Sequence, residues 1–143
     1  MGFSTQVKMR LWGTANARCC KCKTECIEPA EPNDPRSNVG ECAHIVGERP
    51  GSPRHDPTWT AEMLDDESNG LLLCANCHKI VDDQPGKYAV EVLRRMKANH
   101  VECLNALLAS ATGRPRLERT VILHSRGVRI PQELALSAVA PDY

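Results

Sequence analysis

Two C-x-x-C pairs, Cys19-x-x-Cys22 and Cys74-x-x-Cys77, constrain this chain more than any other feature. Each pair can present two thiolates to one edge of a tetrahedral ion at about 2.3 Å, so two stretches separated by 51 residues are expected to meet at one zinc. The chain needs such a staple. Only 5 of its 143 residues are aromatic, too few for a ring-rich core, and small folds with thin cores add disulfides or a structural metal. The opening MGFSTQVKMRLWG lacks the apolar run of a secretory signal, and nowhere is there a membrane-length apolar stretch of about eighteen residues. The expected location is therefore the cytosol, with no membrane partner, and there paired cysteines act as metal ligands rather than as disulfides. Cys20, Cys26 and Cys42 leave the first pair less fixed than the second, with Cys22 and Cys26 as an alternative pairing. Cys103 sits at helical core spacing and reads as a small buried hydrophobe.

The length allows one ordinary domain and a little more, which excludes a multi-domain enzyme, and 41% hydrophobic with 25% charged residues is a globular composition. A formal net charge of zero hides an uneven distribution. Residues 1–27 carry five bases and one acid, 28–70 three and ten, 71–100 five and three, and 101–143 five and four. Basic ends could meet a phosphate backbone while the acidic middle lies elsewhere.

Along the chain, residues 5–17 predict a short helix ending near Gly13. Residues 28–38, with three prolines, predict an exposed loop. Val39 to Val46 has the apolar content of a strand. A second polar stretch, Gly47 to Ser68, holds three more prolines and six of the ten acids of residues 28–70, and a loop that long inside a small domain needs a functional reason. After Asn69-Gly70, Leu71-Leu72-Leu73 reads as a strand, followed by the second knuckle and a helix that begins within it. Residues 89–111 predict one long helix, with Ala89, Leu93, Met96, His100, Cys103 and Leu107 at helical spacing and no glycine or proline. The tail predicts a strand from Thr120 to His124, a turn at Gly127 and a helix starting at Pro131.

Between and beside the knuckles stand His44, Asn69 and His78. The pattern Glu41-Cys-Ala-His44-Ile, followed by Ser68-Asn69-Gly-Leu-Leu-Leu-Cys74-Ala-Asn-Cys77-His78-Lys-Ile-Val-Asp82, resembles the HNH endonucleases of the ββα-metal (His-Me finger) fold. It is similar in particular to those whose ββα unit is stapled by four cysteines. The resemblance covers about residues 10–100 and implies an α+β fold with a Cys₄ zinc knuckle and a long C-terminal helix, in a nuclease domain over residues 1–112. It further implies that His44 is the general base, that His78 binds a single catalytic Mg²⁺ or Mn²⁺, and that Asn69 braces the loop so that His44 points correctly. The implied reaction is phosphodiester hydrolysis leaving a 5′-phosphate and a 3′-hydroxyl. The chemistry suits the residues: a neutral imidazole, with an ordinary pKa near 6.5, can take a proton from water at neutral pH.

One position departs from the family. Many members place a metal-binding Asp just before the general base, where this chain has Ala43. Mg²⁺ prefers oxygen ligands, so the missing carboxylate is expected from Asp82, one turn after His78, with Glu41 as the alternative. His78 could instead complete a Cys₃His zinc site, although four cysteines make that unnecessary. His100 and His124 read as structural or solvent-exposed. Arg49, Arg54 and His55 in the long loop read as phosphate contacts or as a solvated loop. Arg94, Arg95 and Lys97 read as an exposed helix face or a contact to the DNA backbone.

After residue 113, Glu118-Arg-Thr-Val-Ile-Leu-His-Ser-Arg-Gly-Val-Arg-Ile-Pro and Ala138-Val-Ala-Pro141-Asp-Tyr143 resemble the opening of the SAVED sensor that follows the HNH domain in bacterial cyclic-oligonucleotide (CBASS) anti-phage effectors. That likeness implies a linker and the start of a sensor over 113–143. It also implies non-specific cleavage of double-stranded DNA, switched on when a cyclic nucleotide draws nuclease domains together as a homo-oligomer. The alternatives are a standalone or restriction-type nuclease and a non-catalytic zinc-stabilised DNA-binding module.

Overall fold

The computed structural model describes residues 2–112 together with 124–125 and 128–129. Helix α1 (Thr5–Thr14) starts where the Ser4 hydroxyl accepts from the Val7 amide, an N-cap that satisfies one of the helix's orphan donors. Its apolar residues recur every four positions, and Phe3, Val7 and Leu11 are all buried. The proline-rich stretch is exposed, as expected of a loop, and its ends are tied by a two-residue antiparallel pair, β1 (Ile27–Glu28) with β2 (Ser37–Asn38).

The centre of the fold is a second antiparallel pair, β3 (Gly40–His44) with β4 (Gly70–Cys74), followed without a break by α3 (Ala75–Asp83). This β-β-α order is the small α+β unit of the HNH type. The register pairs Gly40 with Cys74 and His44 with Gly70, so the second knuckle leaves one end of the hairpin and His44 stands at the other. Four steps of about 3.3 Å separate them. The connection between the strands contains a short helix, α2 (Ala61–Leu64), and a 3₁₀ turn, Glu67–Asn69.

Both α1 and α3 touch both strands, so the hairpin is covered on its two faces. Strand alternation assigns the faces. Cys42 packs on Phe3, Val7 and Leu11 of the α1 side, and Glu41 meets His78 of α3. Leu71, Leu72 and Leu73 are consequently all buried, a continuous run rather than an alternating one, as expected of a strand covered on both sides. Two close approaches require glycine. A Cβ at Gly70 would stand 2.5 Å from Leu11 Cδ1 and 2.8 Å from Phe3 Cζ, and one at Gly40 would stand 2.7 Å from Cys26 Cβ.

Helix α4 (Val90–Thr112) is divided along its length. Leu93 and His100 are buried, whereas Leu107 is 61% exposed. Cys103 is exposed as well, which corrects the reading of a buried hydrophobe: the helical spacing is real, but the core ends one turn earlier. The chain divides into two units, Met1–Leu108 and Ala109–Tyr143. Within the second, His124–Ser125 and Val128–Arg129 pair antiparallel. The rest of the Thr120–His124 strand, the Gly127 turn and the helix expected at Pro131 lie outside the described residues.

Candidate metal centre and nuclease site

Cys19, Cys22, Cys74 and Cys77 place their sulfurs within 4.8 Å of one another. The Cys22 and Cys74 sulfurs are 3.7 Å apart. A tetrahedral zinc with Zn–S bonds of about 2.3 Å requires an S···S edge of about 3.8 Å, so the quartet fits a structural zinc. The local fold explains the approach. The Cys22 amide points at Cys19 Sγ, Lys23 takes φ +67° to close the turn, and the Cys20 amide donates to the Leu72 carbonyl, tying the first knuckle to the strand that feeds the second. Cys74 is the N-cap of α3, where the helix dipole favours thiolate.

The thiols differ. Cys22 is lowered to about 6: partial burial opposes its ionisation, and hydrogen bonds from the Thr24 hydroxyl and amide and from Cys19 and Cys77 outweigh it. Burial and the neighbouring sulfurs push Cys77 and Cys74 up, which a bound dication reverses by displacing their protons. Cys26 is fully buried outside the quartet, raised to about 11 by burial and by the surrounding cysteines. This removes the Cys22–Cys26 alternative. Cys20 and Cys42 are likewise held up by burial. His78 does not belong to the quartet either, so the Cys₃His alternative falls away.

At the other end of the hairpin, His44 is half-buried and stacks on Phe3, with ring centroids 3.9 Å apart and planes 12° from parallel. Burial lowers its pKa, helped by the His78 charge and opposed by Glu48 and Asp65. It lines a cavity of about 590 Å³ together with Ser4, Leu64 and Asp65. Asn69, 1% exposed, spends its whole side chain on backbone. Its Oδ1 accepts from the Val46 amide at 2.8 Å, and its Nδ2 donates to the carbonyls of Val46 and Leu64 at 3.2 and 3.1 Å. The Asn69 carbonyl also accepts from the Ile45 amide at 2.8 Å. The backbone leaving His44 is thereby fixed at two successive residues.

His78, in the first turns of α3, lies between two carboxylates: Nδ1 is 2.5 Å from Glu41 Oε2 and Nε2 is 3.3 Å from Asp82 Oδ2. An imidazole beside a carboxylate oxygen is a donor set that suits a hard divalent cation. Both candidates for the second ligand thus reach His78, on opposite ring nitrogens.

The structure corrects the reading of Arg54 as a phosphate contact or part of a solvated loop. Its side chain is 5% exposed and donates from Nε to the Ile45 carbonyl at 2.8 Å, from Nη1 to Val81 O at 2.9 Å, and from Nη2 to Asp82 Oδ1 at 2.7 Å and His44 O at 3.4 Å. Nothing periodic marks an arginine in a long loop. The only available signal was the unusual length of that loop. The neighbouring His55 Nδ1 lies 3.1 Å from the Gly47 carbonyl. On α4, Lys97 is half-buried and donates to the Glu67 carbonyl, and Arg94 pairs with Glu91 and lies over Trp59, so these residues are not a bare basic stripe. His100 is structural: buried, it bonds the Ala15 carbonyl at 3.0 Å and Lys23 Nζ at 3.1 Å, joining α4 to α1 and the first knuckle.

No helix among the described residues is long and apolar enough to cross a membrane. A search of curated proteins finds no match to the chain. A model of the HNH endonuclease family matches residues 19–84, a stretch that begins at the first zinc-type cysteine, ends one residue after α3, and contains His44, Asn69 and His78. With the cysteine quartet and the β-β-α order, that match supports an HNH endonuclease carrying a zinc-type staple.

Proposed function

We propose that this chain is a metal-dependent DNA endonuclease in which His44 is the general base, His78 holds the catalytic Mg²⁺ or Mn²⁺ with a carboxylate beside it, and Cys19, Cys22, Cys74 and Cys77 hold structural Zn²⁺. The observation that carries the reading is the buried Asn69, whose amide is committed entirely to backbone, most of it the segment that follows His44. A solvent-facing or merely structural histidine needs no such brace. In the proposed reaction His44, aimed by its stack on Phe3, takes a proton from water at a free ring nitrogen as the water attacks phosphorus. Its lowered pKa keeps that nitrogen unprotonated at neutral pH. The cation, when bound, supplies positive charge to the phosphate and to the departing 3′ oxygen.

The resemblance of residues 118–143 to the opening of a SAVED sensor supports a narrower reading. In it the nuclease degrades double-stranded DNA without sequence preference, in the bacterial cytoplasm, as the effector half of a cyclic-oligonucleotide-activated anti-phage protein whose oligomerisation switches it on. A restriction-type enzyme would cut at fixed sites, so mapping the ends produced on defined DNA separates the two.

The deciding experiment incubates plasmid with the protein and Mg²⁺ or Mn²⁺. The wild type is expected to degrade it, and His44→Ala to lose roughly 10²–10⁴-fold of the rate while retaining its zinc and its melting transition. Equal activity in the two proteins would remove His44 as the base. No cleavage by the wild type would leave a zinc-organised binding module.

A further inference from the structure

We propose that Arg54 decides which carboxylate serves the catalytic cation: it holds Asp82 against the back of His78 as an orienting partner and leaves Glu41 Oε2 and His78 Nδ1 as the protein ligands. This rests on the nuclease reading above and replaces the expectation that Asp82 is the second ligand.

The two nitrogens of one imidazole face apart, so Glu41 on Nδ1 and Asp82 on Nε2 are alternatives. They cannot act as joint ligands around one ion at His78. Asp82 has one oxygen bound to the Arg54 guanidinium at 2.7 Å, and a dication on the same carboxylate would stand beside a buried positive charge. Glu41 has no lysine or arginine partner among the described residues, and its side chain is 52% exposed, open to a hydrated ion. Strand alternation supports the choice. Glu41 lies on the hairpin face covered by α3, the face from which His78 reaches it. A metal-binding histidine typically donates its other ring N–H to a carboxylate, which fixes the ring's orientation, and Asp82 Oδ2 stands where that acceptor is needed.

Arg54 does more than neutralise Asp82. Its fork binds the His44 and Ile45 carbonyls at the end of β3 and the Val81 carbonyl of α3, joining the strand that carries the base to the helix that carries the metal ligand. The residue adopts φ +59°, a left-handed conformation unusual for a side chain other than glycine, and one that persists only where its surroundings over-determine it. Four acceptors on two elements do so here.

The test measures Mn²⁺ binding to the zinc-loaded full chain, without DNA, by the electron paramagnetic resonance signal of free Mn²⁺. Glu41→Gln is expected to weaken binding roughly tenfold or more, and Asp82→Asn, which keeps an acceptor for the ring N–H, to weaken it less. The reverse order, equal losses, a Glu41→Gln protein within twofold of wild type, or a wild type that takes up no Mn²⁺ would each overturn the assignment. Should Asp82→Asn lose its zinc or its melting transition, Glu41→Gln, altering an exposed side chain, decides alone. Arg54→Lys, which keeps the charge and loses the fork, is expected to bind Mn²⁺ within about threefold of wild type and to lose kcat with KM unchanged; an unaltered kcat would overturn its positioning role. A wild type that binds Mn²⁺ but cuts no DNA would instead defeat the nuclease reading and leave the ligand order to be judged by binding.

Discussion

His44 is held from three directions. Phe3 fixes the plane of the ring, Arg54 holds the carbonyl, and Asn69 fixes the next two amides. Because burial lowers its pKa below the ordinary 6.5, the proton that would silence a general base binds only at lower pH. The acid limb of a pH–rate profile is therefore expected to have its midpoint below 6.5, with activity full above it and lost as pH falls through it. A limb centred at or above 6.5 would contradict the assignment. His44, Asn69 and His78 were legible in the sequence because a short motif keeps them in fixed order around a knuckle. Arg54 was not, because its role comes from a tertiary meeting of loop, strand end and helix, and single-sequence periodicity says nothing about such meetings. Asp82 and Glu41 could be nominated but not ranked, since the ranking depends on where a guanidinium sits.

At the level of elements, the strand–knuckle–helix run from Gly70 to Asp83 was readable because its signals are local: an Asn-Gly turn, three leucines, and a cysteine spacing that caps a helix. Helix α1 was foreseen as a helix over residues 5–17, but its partner was not. Its Phe3-Val7-Leu11 stripe is narrow, and only the structure shows that it covers the hairpin face bearing Cys42 and His44. Gly70, opposite His44, lets it come that close. Gly70→Ala is expected to destabilise the fold by roughly 1–3 kcal/mol through overpacking, read as a lower melting temperature, and to slow cleavage as Phe3 shifts beneath the imidazole. An unchanged melting temperature would show that α1 yields freely at this point. The long helix α4 was foreseen in extent but not in burial, because spacing reports a face and not where the core beneath it ends.

Across the whole molecule, sulfur takes the place that rings occupy in better-filled cores: Cys19, Cys20, Cys26 and Cys77 are buried among Leu71, Leu72, Leu73 and Leu93. Metal binding then contributes directly to folding free energy, by about 10–16 kcal/mol in zinc-finger peptides. About one zinc per chain is expected by elemental analysis, and its removal by a strong chelator is expected to abolish the cooperative melting transition; a chain that melts normally without zinc would refute this. The quartet offers four sulfurs and the site at His78 only an imidazole and a carboxylate, so inhibition by chelation is expected to run on two clocks. Mild treatment is expected to strip the exchangeable ion proposed at His78, and adding Mn²⁺ back to restart turnover within the mixing time. Prolonged treatment is expected to empty the sulfur cage, and the same addition then to revive nothing until the polypeptide has refolded around fresh zinc.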